Sequence, residues 1–77
     1  MTRAEFYGLL DEITEAAPGT VKGTEALRDL AGWDSLALVS FIAVVDERFG
    51  VTLSASKLQK CETVGDLVAL LPTPLTA

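Results

Sequence analysis

Apolar residues recur at helical spacing in three stretches of the chain. Thr2 followed by Glu5 has the spacing of a capping box, and Phe6, Leu9, Leu10, Ile13 and Ala17 then line one face as far as Pro18-Gly19. This pattern predicts a first helix with a single apolar stripe. From Pro18 to Trp33 the periodicity dissolves among Gly19, Gly23 and Gly32, although Leu27 and Leu30, three apart, can pin this long connection to a core. Asp34 or Ser35 opens a second helix that runs to Phe49 and stops at Gly50, a residue suited to the left-handed conformation that ends helices. Ser54 to Lys60 reads as one or two helical turns. Thr63 with Asp66 repeats the capping spacing ahead of Val64, Leu67, Val68 and Leu71, and Pro72 ends this last helix. Only Val51-Thr52-Leu53 hints at a strand. The prediction is an all-α domain over residues 1–72, with three main helices, one short helix and a long first loop. Residues 73–77 read as a disordered tail.

The second helix has more apolar surface than one core contact requires. Leu38, Phe41, Ile42, Val45 and Phe49 form a full stripe, yet Leu36, Val39 and Ala43 lie three or four apart on a neighbouring face that continues to Asp46 and Glu47. Two readings follow: the helix is buried on two sides, or the second face is a docking surface. Truncation of Leu36 to alanine separates them, because core packing implies a loss of about 2–5 kcal/mol whereas a docking role leaves folding nearly unchanged.

Composition narrows the function. At 77 residues and 8.2 kDa the chain holds one small core. Hydrophobic residues at 49% against 22% charged exclude a disordered chain, and no apolar run is long enough to cross a bilayer. The net charge of −5 is the wrong sign for neutralising phosphates, so nucleic acid and anionic membranes are poor partners and a basic protein surface is a good one. Cys61 is the sole cysteine and histidine is absent, which excludes intrachain disulfides, zinc clusters and Ser-His or Cys-His catalytic pairs. A lone cysteine in an apolar segment reads as a small core residue, and Trp33 as a loop residue capping the helices. Asp11, Glu12 and Glu15 read as the solvated face of the first helix. Met1 to Leu10 shows no signal peptide, which places the chain in the cytoplasm.

Ser35 stands where a glycine-punctuated loop, Gly32-Trp33-Asp34, turns into the second helix. A hydroxyl there lies among backbone N–H groups that the helix leaves unpaired, and a phosphate ester would be favoured by the helix dipole by about 0.3–1 kcal/mol. The plainer reading is that Asp34 or Ser35 is simply the helix cap. Ser35 has neither a histidine base nor a Gly-x-Ser-x-Gly turn, so any modification of it requires another enzyme.

The run Gly32-Trp33-Asp34-Ser35-Leu36, the helix ending in Phe49-Gly50, Leu53, and Thr63-Val64-Gly65-Asp66-Leu67 together resemble the acyl carrier protein family over most of the chain. The resemblance implies a small four-helix bundle with a long first loop. It also implies that Ser35 bears 4′-phosphopantetheine, attached from coenzyme A by a phosphopantetheinyl transferase, with Asp34 assisting recognition by that transferase and its magnesium. Leu36, Val39 and Ala43 then fall on the face that family members present to partner enzymes, with Asp46 and Glu47 as acidic contacts. Phe41, Val45, Phe49, Leu58, Cys61 and Leu67 occupy positions resembling the core, part of which can open to shelter an acyl chain. Implied partners are an acyl-loading enzyme, a ketosynthase or an acyltransferase, and a carrier visiting several active sites works best as a monomer. Ala37, Ser40 and Arg48 stand where primary fatty-acid carriers commonly have acids, which points towards polyketide or other specialised metabolism. The bounds of the chain suit a discrete carrier rather than one module of a larger synthase. Three alternatives stay open: an aminoacyl or peptidyl carrier using the same serine, an unmodified helical adaptor binding an amphipathic helix through Leu36, Val39 and Ala43, and, least favoured, a hydrolase.

Overall fold

A computed structural model describes residues 1–76. Four α-helices follow one another: α1 at Arg3–Ile13, α2 at Ser35–Phe49, α3 at Ala55–Gln59 and α4 at Val64–Ala69, with a single turn of 3-10 helix at Leu27–Asp29 inside the long first connection. Among the described residues there is no strand beyond two isolated bridges, so Val51-Thr52-Leu53 forms none. The expected all-α bundle of three main helices and a short one is what forms, although α3 and α4 are close in length.

Each helix begins as its residues prescribe. Thr2 and Glu5 form a reciprocal capping box, the Thr2 hydroxyl accepting from the Glu5 amide at 3.1 Å and the Glu5 carboxylate from the Thr2 amide at 2.9 Å. Thr63 and Asp66 repeat the device at α4. The helix ends depart more from expectation. α1 stops at Ile13, four residues short of Ala17, because Thr14 caps it and Glu15 takes a left-handed φ of 57°. The amide of Ala16 then donates to the Asp11 carbonyl at 2.8 Å and that of Glu15 to Glu12 at 3.1 Å, a Schellman closure with glutamate in the usual glycine position. α4 likewise ends at Ala69, before Leu71.

The core draws on every part of the chain. Phe6 and Leu10 of α1, Phe41 and Val45 of α2, Leu58 of α3, and Val64 and Leu67 of α4 are buried. Phe41 is the hub, meeting the Phe6 and Trp33 rings edge-on, each at 5.9 Å between centroids. In the expected α2 stripe, Leu38, Ile42 and Phe49 are only half-buried against this core. Ala37, which the stripe omitted, is 3% exposed.

The long connection is held rather than free. Leu27 and Leu30 are buried as expected, joined by Val21, and the Leu27 amide donates to the Glu62 carbonyl at 2.8 Å while that of Val64 donates to Glu25 at 3.1 Å. Asp11 corrects the expectation of a solvated acid. It is 4% exposed, and its carboxylate accepts from the amides of Gly19 and Val21, each at 2.9 Å. A buried carboxylate needs such partners, and the loop supplies them. The tail corrects a second expectation: instead of a disordered run, residues 73–76 return to α1, with Leu75 7% exposed. The Arg3 amide, which the first turn of α1 leaves unpaired, donates to the Thr76 carbonyl at 2.8 Å, and the Thr76 amide donates to Met1 at 3.1 Å. Position 77 lies outside the described residues.

Candidate functional site

Ser35 is the first residue of α2 and is exposed. Asp34, extended at φ −129°, is the cap: its Oδ1 accepts from the Ala37 amide at 2.9 Å and its carbonyl from the Leu38 amide at 3.0 Å. Capping therefore falls to the aspartate and not to the Ser35 hydroxyl. The amides of Ser35 and Leu36 open the helix, with no carbonyl four residues back inside it to bond, so they offer N–H dipoles to an anion on Ser35.

The approach to Ser35 is fixed from behind. Trp33 packs edge-on against Phe41, as the expectation of a capping tryptophan requires, and its amide donates to Leu30 at 3.1 Å. Gly32 has φ +89°, and a Cβ there would collide with the Thr14 carbonyl oxygen. That close approach clamps the end of α1 against the loop that delivers Ser35.

Two open grooves lie near the start of α2, of which one is lined by the serine. One, of about 540 Å³, lies towards α3 and includes Leu27, Arg28, Leu38, Val39, Leu58 and Cys61 beside Ser35 and Asp34. The other, of about 370 Å³, lies towards α1 and brings Glu12, Glu15 and Gly32 to Asp34, Leu36 and Ser40. Sequence periodicity gave no sign that Arg28 shares a groove with Ser35, or Glu12 and Glu15 one with Asp34 and Leu36, because loop 14–34 and not helical spacing brings them there.

The second face of α2 is exposed. Leu36 is 73% and Val39 60% exposed, and Ala43, Asp46 and Glu47 continue the exposed surface down the helix. Burial on two sides is thus excluded at Leu36 and Val39, while Ala37, inside the core, is no part of an acidic address. Only Ser40 and Arg48 still count as departures from an acidic helix. Cys61 is half-buried rather than a core residue, its thiol donating to the Lys57 carbonyl at 3.5 Å. Burial, and next the negative charge of Asp66, push its thiol up from 9.0, so at neutral pH it stays protonated and a poor nucleophile.

A small helical domain with an exposed serine at the start of its longest helix and an exposed apolar face running away from it has the form of a carrier. Residues 5–71 match the family described as "Phosphopantetheine attachment site". The chain belongs to this phosphopantetheine-binding family, within the acyl carrier proteins, and is a non-catalytic carrier of covalently attached phosphopantetheine. It is 38% identical over 68 residues to acyl carrier protein MbtL of Mycolicibacterium paratuberculosis, a match spanning 88% of this chain and 76% of the relative. Acyl carrier protein MbtL of Mycobacterium tuberculosis is 42% identical over 45 residues, spanning 58% of this chain and 54% of that protein. An acyl carrier protein of Rhodococcus erythropolis is 29% identical over 68 residues, 88% of this chain and 75% of the relative. No solved structure shows significant similarity to the chain. Among the described residues, no helix is long and apolar enough to cross a membrane.

Proposed function

We propose that Ser35 bears the 4′-phosphopantetheine arm and that the chain presents acyl groups on it to biosynthetic enzymes. The observation that carries this reading is the placement of Ser35: exposed, first in α2, relieved of capping by Asp34 and lining the groove towards α3. The group fits the residues present. A phosphodiester on Ser35 meets the leading amides of α2, and Arg28 offers a cation from the groove towards α3. When bound, the arm supplies a terminal thiol that holds acyl groups as thioesters. The chain's own contribution is address and presentation, since tethering raises the effective concentration of cargo at each partner's active site.

Asp34 holds the serine at the corner of the helix and faces the phosphopantetheinyl transferase with its magnesium. Leu36, Val39 and Ala43 form the apolar part of the partner face, and Asp46 and Glu47 its distal acidic part. The partners this implies are the transferase, an acyl-loading enzyme, and a ketosynthase or acyltransferase, served by a monomer in the cytoplasm. Two exposed aliphatic side chains beside the attachment site, with Ser40 and Arg48 on the same helix, favour a dedicated partner set in polyketide or other specialised biosynthesis.

Charging the arm-bearing protein distinguishes acyl from aminoacyl cargo. Malonyl- or acetyl-coenzyme A with an acyltransferase is expected to add the corresponding acyl mass, removable by hydroxylamine. Charging only by an adenylating enzyme with ATP and an amino acid would replace the acyl reading with the aminoacyl one.

A further inference from the structure

The groove towards α3 joins the attachment serine to a cation. Ser35 and Arg28 both line it, and the other charged residue of that lining, Asp34, has its Oδ1 engaged by the Ala37 amide at 2.9 Å. The groove towards α1, which Ser35 does not line, carries the carboxylates of Glu12, Glu15 and Asp34 and no basic side chain. We propose that Arg28 is a positioning residue for the arm: its guanidinium pairs with the phosphodiester on Ser35 and turns the arm, from its first bonds, towards α3. This rests on Ser35 being the arm-bearing residue.

The fold fixes the backbone of Arg28 and leaves its side chain exposed. Arg28 is the middle residue of the 3-10 turn, with Leu27 buried before it and Leu30 buried two positions after it. The Leu27 amide donates to the Glu62 carbonyl at 2.8 Å, that of Leu30 to Leu27 at 3.0 Å, and that of Trp33 to Leu30 at 3.1 Å. The turn is thus tied at one end to the segment ahead of α4 and at the other to Trp33, two residues before Ser35. A phosphodiester carries a single negative charge shared by two oxygens, which a planar guanidinium can meet with two parallel N–H groups and an ammonium only as a point charge. The leading amides of α2 favour that charge along the helix axis and are indifferent to the side on which the arm leaves. Arg28 stands on one side only, and the carboxylates of the other groove repel an anion from theirs.

The test follows the arm and not its enzymes. It records the phosphorus NMR resonance of the serine-linked phosphodiester, and the melting temperature of arm-bearing protein minus that of the same protein without the arm, in wild type, R28K, R28Q and K57Q. Lys57 is an exposed cation of α3 that does not line the groove, so K57Q controls for net charge. The proposal expects the resonance to be displaced in R28Q, to lie between wild type and R28Q in R28K, and to stay at the wild-type position in K57Q. It expects the arm-dependent melting shift of R28Q to fall below that of wild type by about 1–4 °C, with the difference shrinking as salt is raised. Each variant is compared with its own unmodified form, so a purely structural effect of the substitution cancels. An unchanged resonance and melting shift in R28Q bearing the arm on Ser35, or an equal change in K57Q, overturns the role of Arg28 and leaves Ser35 as the attachment residue. Failure of wild type to accept the arm, with another carrier modified in parallel, overturns both.

Discussion

At the scale of single residues, Asp11 shows how far a side chain's role can lie from its pattern. In the sequence it is one of three acids read onto the solvated face of the predicted first helix, indistinguishable in type from Glu12 and Glu15. In the fold it is buried, and its two oxygens gather the amides of Gly19 and Val21 from positions eight and ten residues on. No periodicity encodes such a pairing, because the partners are backbone groups of an irregular loop. Ionic hydrogen bonds of this kind contribute more than neutral ones. Asp11→Ala is therefore expected to lower the unfolding free energy by about 2–3 kcal/mol in chemical denaturation, with Glu12→Ala near neutral. Ser35 and Asp34, in contrast, stood out in the sequence as candidates at the start of α2, with the cap left open between them. Their division of labour followed only from the geometry that gives the cap to Asp34.

At the scale of elements, helix starts were legible and helix stops less so. Starts depend on one side chain and an amide three residues on, which the spacing Thr2 to Glu5 and Thr63 to Asp66 displays directly. Stops depended on Glu15 entering a conformation its residue type does not announce, and on tertiary contacts. The capping boxes also make a pH prediction. Backbone donation from Glu62 and then Thr63 holds the Asp66 carboxyl below its ordinary 3.8, and the Thr2 backbone and hydroxyl hold Glu5 below 4.5. A carboxyl with a depressed folded-state pKa contributes stability above its unfolded value and loses it as pH falls through the folded one. Asp66→Asn is therefore expected to melt below wild type at pH 7, with the gap closing as pH drops below 3.8. A gap independent of pH would assign the effect to packing instead. The tail belongs at this scale too: residues 73–76 have no periodic pattern, and they are ordered by the amide of Arg3 and by burial of Leu75.

At the scale of the whole molecule, a core assembled from all four helices and the long loop holds one exposed corner, where α2 begins. The surplus apolar face of α2 left core packing and docking both open in the sequence, and the exposure of Leu36 and Val39 removes the first at those two positions. As a non-catalytic carrier of covalently attached phosphopantetheine, the protein depends for its chemistry on what is attached to it. The most direct measurement is therefore the intact mass of wild type and Ser35→Ala after incubation with coenzyme A, magnesium and a phosphopantetheinyl transferase. The account predicts one added phosphopantetheinyl group in wild type and none in the variant. An equal gain in Ser35→Ala, or no gain in folded wild type while a known carrier is modified alongside, would contradict it.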